Sequence, residues 1–175
     1  SRVRSRSGLT GREAAERILY SAGIRDVRVE HVPGNLTDHY DPRRKVLRLS
    51  DATYNSNSVA AIGVAAHECG HAIQHETGYV PLAVRGSLVP IANFGSSIAW
   101  PLILIGLFMN SGMSALLLNL GILAFSLAVL FQIVTLPVEF NASGRAVKIL
   151  GSTGILYEDE VKDTKKVLKA AALTY

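Results

Sequence analysis

The sequence has little cysteine and little charge. Its single cysteine, Cys69, excludes an intrachain disulfide bond and agrees with a reducing compartment. Charged residues make up only 18% of the 175 residues and hydrophobic residues 49%, which favours the membrane class of protein over the average soluble domain. The chain is long enough for one domain with a hydrophobic core.

Charge is absent altogether from residues 86–138, which contain no Asp, Glu, Lys, Arg or His. The turn-like sequence NSGM at 110–113 divides this segment into two apolar stretches, Leu88 to Met109 and Ser114 to Val138. Each is about as long as the roughly 20 residues that a helix needs to cross the hydrocarbon core. The rest of the chain is too small to enclose two such helices in a soluble core. We therefore predict a transmembrane helical hairpin.

Basic residues are excluded from this hairpin, since all 18 Lys and Arg lie outside it and the connecting loop has none. Both ends of a hairpin emerge on one face of the membrane, and the positive-inside rule places that face in the cytoplasm. The net charge of +4 agrees with an anionic membrane surface as partner. Nucleic acid is not expected as a partner, because the basic residues are not interleaved with aromatic residues at a base-stacking spacing.

The segments before the hairpin have clear secondary-structure signals. Thr10 and Glu13 have the spacing of a capping box and begin an amphipathic helix that Gly23 ends. Residues 26–50 alternate between apolar and polar with two turn signals, which predicts a small antiparallel sheet. A second helix begins near Val59, and its first turns are apolar on every side, which is typical of a buried helix.

The buried helix carries the sequence HECGH at residues 67 to 71, an H-E-x-x-H pattern. His67 and His71 lie about 40° apart around a helix and roughly 6 Å apart along it, so both imidazoles can converge on one Zn²⁺. Glu68 then lies beside the open position of the metal, where it can act as general base toward a water. Gly70 allows another backbone to come close, and Cys69 points away as a packing residue.

His75 is a third histidine on the same helix, one turn beyond His71. On an unbroken helix it lies roughly 12 Å from His67, too far for both rings to bind one ion through bonds of about 2 Å. No glycine between His71 and His75 allows the helix to turn. We therefore expect His75 to support a metal ligand from outside, to face the substrate or to cap the helix.

Glu139 is the first ionisable residue after the hairpin. It lies in a helix that Pro137 is expected to begin and Gly151 to end. This carboxylate completes a two-histidine, one-glutamate ligand set, and Ser143, one turn later on the same face, can hydrogen-bond a ligand. The alternative is that Glu139 is an interfacial charge stabilised by the N-terminus of its helix.

Three motifs in this order resemble a known family: LTDHYDPRRKVLRLS, GVAAHECGHAIQH and LPVEFNAS. They resemble the YugP-type neutral zinc metallopeptidases and, more distantly, the membrane gluzincins that include the CAAX prenyl proteases and HtpX. The resemblance implies His67, His71 and Glu139 as zinc ligands and Glu68 as base. The distant relatives usually have an aspartate where this chain has Ser143. Members of the nearer family carry further membrane segments, so we expect a partial chain.

The predicted fold class is an α+β membrane protein with one domain over residues 1–175, mainly helical and zincin-like. Residues 1–85 form the cytoplasmic helix, the small antiparallel sheet and the helix of the histidines. The transmembrane hairpin occupies residues 86–138, and residues 139–175 supply the third ligand and a C-terminal helix. The protein is expected to be multi-pass in the cell membrane, with its active site facing the cytoplasm.

The predicted function is zinc-dependent hydrolysis of peptide bonds, with membrane or misfolded proteins as polypeptide substrates. Tyr40, His75 and Arg145 are candidates for binding substrate or stabilising the oxyanion. An alternative is an inactive, zinc-stabilised membrane scaffold, although a structural zinc site fills all four positions with ligands and does not use a base such as Glu68. A metal transporter is a second alternative. It would need polar or ionisable groups inside the spans, whose polar residues are only Asn93, Asn119, Gln132 and some Ser or Thr.

Overall fold

The computed structural model describes residues 3–109 and 112–172. In this part of the chain the elements follow in the order α1 (Gly11–Ser21), β1 (Arg28–His31), β2 (His39–Asp41), β3 (Val46–Leu49), α2 (Asp51–Tyr54), α3 (Val59–Glu76), α4 (Val80–Phe108), α5 (Ser114–Ser152) and α6 (Glu158–Ala172). The chain divides into two compact units. Residues 80–138 form one of them, and the described residues before and after this segment form the other.

Helix α1 begins and ends as its sequence predicts. The Thr10 side chain accepts a hydrogen bond from the backbone N–H of Glu13, and the Glu13 side chain bonds the backbone of Thr10 in return, so the capping box is complete. The helix ends before Gly23, whose φ of 76° is a conformation that glycine adopts without strain. The predicted amphipathic helix is therefore confirmed.

The predicted small sheet is present, but it is mixed instead of antiparallel. Strand β3 lies in the centre, with β1 paired to it in parallel and β2 paired to it antiparallel. The two turns between the strands reverse the chain twice, so β1 and β3 run in the same direction. Because β3 and not β2 lies beside β1, this pair has to be parallel. Alternation along the sequence indicates strands, but it carries no information about which strand lies in the centre.

Helix α3 is buried for most of its length, as its apolar sequence predicts. The Ser58 side chain caps it by accepting a hydrogen bond from the N–H of Ala61, and Gly78, with a φ of 68°, follows its end. The helix packs against α1 and α6 in the first unit. The hydrophobic core of this unit includes side chains from all three helices, among them Ala15, Ile18, Ile62, Ala66, Cys69 and Leu168.

The second unit contains α4 and the part of α5 that precedes Glu139, and both helices are long and apolar enough to cross a membrane. They approach closely at glycines: a Cβ atom added at Gly95 would lie 2.8 Å from the carbonyl oxygen of Ala124. Such small residues are typical of packed membrane helices. The α+β membrane class is therefore confirmed. Of the turn predicted at 110–113, Asn110 and Ser111 lie outside the described residues.

The bounds of the two apolar helices differ from those predicted. Helix α4 begins at Val80, before the charge-free stretch, because a single Arg85 near its start does not interrupt a helix. Helix α5 runs without a break through Pro137, which was expected to begin a new helix. A proline removes one backbone hydrogen bond, and membrane helices tolerate this where neighbouring helices or Ser and Thr side chains satisfy the freed backbone group.

Candidate metal centre

Two histidines of α3 and one glutamate of α5 converge in the first unit. The Nε2 atom of His67 lies 2.7 Å from Oε2 of Glu139, and Nε2 of His71 lies 3.3 Å from Oε1 of the same carboxylate. All three side chains are buried. Their candidate ligand atoms lie within 4.8 Å of one another, so this group could hold a metal ion. The structure therefore brings together the three residues that the sequence predicts as ligands.

The donor set and its spacing fit zinc. In a tetrahedral site with bonds of about 2 Å, ligand atoms lie roughly 3.3 Å from one another, which is close to the 2.7 and 3.3 Å that separate the carboxylate oxygens from the two Nε2 atoms. Two imidazole nitrogens and one carboxylate oxygen are ligands that Zn²⁺ accepts, and three protein ligands leave a fourth position for water or substrate. Both histidines direct Nε2 toward the carboxylate, while each Nδ1 has a hydrogen-bond partner elsewhere.

The Nδ1 partners differ between the two histidines. His67 Nδ1 lies 2.9 Å from the hydroxyl oxygen of Ser143, one turn after Glu139 on α5. His71 Nδ1 lies 2.9 Å from Oε1 of Gln74, which is buried on α3 itself. Partners of this kind fix the orientation of an imidazole ring and the nitrogen that carries the proton.

A chain of hydrogen bonds from Arg145 determines the orientation of Gln74. Arginine can only donate, so Nε of Arg145, 2.8 Å from Oδ1 of Asn141, makes that oxygen the acceptor. The same oxygen also accepts from Nε2 of Gln74 at 2.9 Å, which turns the amide oxygen of Gln74 toward His71. His71 therefore donates through Nδ1, and in the neutral ring its Nε2 presents a lone pair to the centre of the group.

Gln74 and Asn141 belong to the site but were not predicted from the sequence. The available signal for Gln74 was its position three residues after His71, because side chains three residues apart on a helix are neighbours. A fully buried glutamine needs partners for its amide, and a histidine one turn earlier is an obvious one. Asn141 follows Glu139 by two residues, and no local pattern relates it to Gln74 on another helix.

Gly70 determines how closely α3 and α5 approach. A Cβ atom at this position would lie 2.4 Å from the carbonyl oxygen of Ala142, far inside van der Waals contact. Only glycine leaves room for this backbone contact, which confirms the prediction that another backbone comes close here. The contact lies between His67 and His71 along α3 and between Glu139 and Ser143 along α5. It therefore determines how far the two histidines lie from the glutamate.

The electrostatics of the site favour an ionised glutamate. Burial on its own raises the pKa of Glu139, but His67 and His71, when protonated, donate hydrogen bonds to the carboxylate and hold its pKa well below its usual range. Glu68 is also buried and follows His67 directly on α3.

Cys69 faces away from the metal centre, where its thiol donates to the carbonyl oxygen of Ala15, and burial raises the pKa of the thiol. The predicted packing role of Cys69 is confirmed.

His75, Tyr40 and Arg145, the predicted substrate-side candidates, occupy different surroundings. His75 lies exposed in the last turn of α3, and its Nδ1 lies 2.9 Å from the hydroxyl of Tyr40 on β2. Burial raises the pKa of Tyr40 to about 12, so this hydroxyl is protonated at neutral pH. Arg145 bonds Asn141 and lies against the ring of Tyr79, with 5.6 Å from the guanidinium carbon to the ring centroid.

The fold and the site together define a class: an α+β membrane protein with a buried His-His-Glu group that could hold a metal ion. The sequence profile of the family described as "Putative neutral zinc metallopeptidase" matches residues 1–175. The chain belongs to this family. It is 50% identical over 175 residues to the "Putative membrane protease YugP" of Bacillus subtilis (strain 168), covering all of this chain and 76% of that protein. No solved structure matches the chain.

Proposed function

We propose that this protein is a membrane-embedded, zinc-dependent endopeptidase that hydrolyses peptide bonds in membrane or misfolded proteins. The observation that carries the proposal is the convergence of His67, His71 and Glu139, all buried, next to Glu68 on the same helical turn. Membership of a family named for zinc peptidases supports both the metal and the reaction. The experiment that tests it compares casein hydrolysis by the purified protein and by a variant without the Glu68 carboxylate.

In this proposal His67, His71 and Glu139 hold the zinc ion, and the protein is a gluzincin of the H-E-x-x-H type. Bound zinc supplies a Lewis acid that polarises the scissile carbonyl and acidifies the attacking water. Glu68 accepts the proton of that water as general base and later donates it to the leaving amine. Ser143 orients the His67 ring, and Gln74 orients the His71 ring.

The extended substrate is proposed to bind near the small sheet, where Tyr40 and His75 form a hydrogen-bonded pair. Both groups, together with Arg145, remain the candidates for stabilising the oxyanion. We also propose that the two compact units act as one metallopeptidase domain over residues 1–175. The zinc-binding unit contains both flanks of the hairpin, so an intact site requires both.

We further propose that the protein is multi-pass in the cell membrane, with the proposed active site in the cytoplasm. This predicts that the loop near Gly112 faces outward while Ser152 faces the cytoplasm. Single cysteines at each position, in a Cys69→Ala background, report this through an impermeant maleimide. Intact cells should label the cysteine at 112, and the cysteine at 152 only after permeabilisation. The reverse pattern would contradict the proposed orientation.

Gln74→Leu is expected to weaken zinc binding about 10- to 100-fold, as is typical when a group that orients a ligand is lost. The substitution keeps the volume of the side chain but removes the acceptor for His71 Nδ1. Zinc affinity is measured by titration against a competing chelator. Gln74→Glu, which keeps an acceptor oxygen, is the matched variant and should lose less affinity. Thermal unfolding of the zinc-free proteins checks that both variants fold, and unchanged affinity in Gln74→Leu would refute the assigned role.

A further inference from the structure

A groove of about 430 Å³ lies between α5 and α6 in the first unit, and Ser143 is the one lining residue that also belongs to the candidate metal centre. Its lining has an apolar part, the bottom (Phe140, Gly144, Val147 and Leu168), and a basic part, the edge (Lys148, Lys165 and Lys169). Eight residues line it: Phe140, Ser143, Gly144, Val147, Lys148, Lys165, Leu168 and Lys169. A groove of this volume is within the range of small-ligand sites.

The bottom of the groove is open because α5 has a glycine there. A Cβ atom added at Gly144 would meet nothing within 4 Å, so a helical position that normally carries a side chain is vacant. Val147 and Leu168 contribute aliphatic surface on either side, and Phe140 is 42% exposed at one end. An exposed phenyl ring beside an unfilled apolar groove favours a ligand with a hydrocarbon part.

The edge of the groove carries three ammonium groups and no carboxylate. Lys148 projects from α5, and Lys165 and Lys169 lie one turn apart on α6. The ion pairs found among residues 3–109 and 112–172 involve none of these three lysines. Three like charges around one groove repel one another, and an anion between them relieves that repulsion. The ligand is therefore expected to carry a negative charge as well as a hydrocarbon part.

The groove follows the apolar stretch of α5 directly. At 1.5 Å per residue, Phe140 and Gly144 lie roughly 3 and 9 Å along the helix beyond Val138, the last residue of the charge-free segment. The headgroup layer on each side of a bilayer is about 5 to 7 Å thick. Lysine side chains with long aliphatic stems extend toward this layer when their α carbons lie outside it. Along α5, Phe140 and Gly144 therefore follow the last residue of the charge-free segment within two helical turns, a length comparable to the thickness of the headgroup layer.

We propose that this groove binds one anionic phospholipid of the bilayer, with its phosphate between Lys148, Lys165 and Lys169 and the upper part of one acyl chain over Gly144. A soluble anion such as inorganic phosphate would use the lysines but not the apolar bottom. A neutral lipid would use the apolar bottom but would leave three ammonium groups unpaired. An anionic phospholipid satisfies both parts of the lining.

Helix α6 offers a matched pair of variants that tests the site. The double variant Lys165→Gln/Lys169→Gln removes two groove lysines, whereas Lys162→Gln/Lys166→Gln removes two exposed lysines of the same helix that do not line the groove. Both pairs have the same spacing and the same change in net charge. Native mass spectrometry of the detergent-purified protein measures the fraction that retains one phosphatidylglycerol, with phosphatidylcholine as the neutral comparison.

The groove variant is expected to retain phosphatidylglycerol about tenfold less than the unchanged protein, and the control variant is expected to retain it equally well. Gly144→Leu keeps every lysine, fills the vacant position and raises helix propensity, and it should also lower retention. Equal losses in the two lysine pairs would overturn the proposal, because they would indicate diffuse attraction to basic residues. Equal retention of phosphatidylcholine, or competition by glycerol phosphate alone, would overturn it as well.

Discussion

Replacing Glu68 with glutamine is expected to abolish peptide hydrolysis while zinc stays bound. The substitution removes the proposed general base but leaves His67, His71 and Glu139 in place. General base catalysis contributes about 10²- to 10⁴-fold, so turnover of casein should fall by at least about a hundredfold. Zinc content by atomic absorption and hydrolysis of labelled casein are measured on the same preparation, so that loss of metal and loss of the base are distinguished.

Glu76→Gln is the matched control, since it removes a carboxylate from the same helix at a position that is exposed and paired with Lys45. This variant should keep both zinc and activity. Undiminished hydrolysis by Glu68→Gln would refute the mechanism. A zinc-loaded, unchanged protein that hydrolyses no polypeptide would instead favour the zinc-stabilised scaffold.

Replacing Glu139 with alanine is expected to lower zinc affinity by more than a hundredfold. The carboxylate is the third member of the buried group, lying 2.7 Å from His67 and 3.3 Å from His71, and its loss leaves two imidazoles that hold the ion poorly. Loss of an outer hydrogen-bond partner typically costs 10- to 100-fold, so loss of a direct ligand should cost more. Zinc titration of the purified variant against a competing chelator measures the change.

His75→Ala is the comparison for this prediction, because His75 lies on the same helix as His67 and His71 but is exposed and bonded to Tyr40. Its zinc affinity should stay within a fewfold of that of the unchanged protein, and only turnover should change. If His75→Ala lost the metal while Glu139→Ala retained it, the ligand set proposed here would be wrong.

The parts of the site that could be predicted are those determined within a single helix. His67, Glu68 and His71 have a fixed spatial relation as soon as α3 forms, and the signals at Ser58 and Gly78 identify the ends of that helix. Gly70 could be assigned to a close backbone approach because an isolated glycine in a buried helix usually has a packing reason. The apolar hairpin was equally visible, since hydrophobicity over about 20 residues is a local property.

The parts that could not be predicted depend on how one element packs on another. The position of β3 between β1 and β2 is not visible in the alternation of any strand. The hydrogen bonds from Arg145 through Asn141 to Gln74 depend on the register of α5 against α3, which the contact at Gly70 determines in three dimensions. Pro137 illustrates the same limit, because local preference predicts a helix start where the surrounding groups allow α5 to continue.

The order of the candidate ligands along the chain has a consequence for biosynthesis. His67 and Glu139 are 72 residues apart, and the whole apolar hairpin lies between them. At about 5 to 20 residues per second, translation needs roughly 4 to 14 seconds to proceed from the first ligand to the last. Both apolar segments leave the ribosome before Glu139 does, so the nascent chain has no complete metal centre during this interval. Maturation of the candidate site is thereby delayed until both apolar segments have been synthesised.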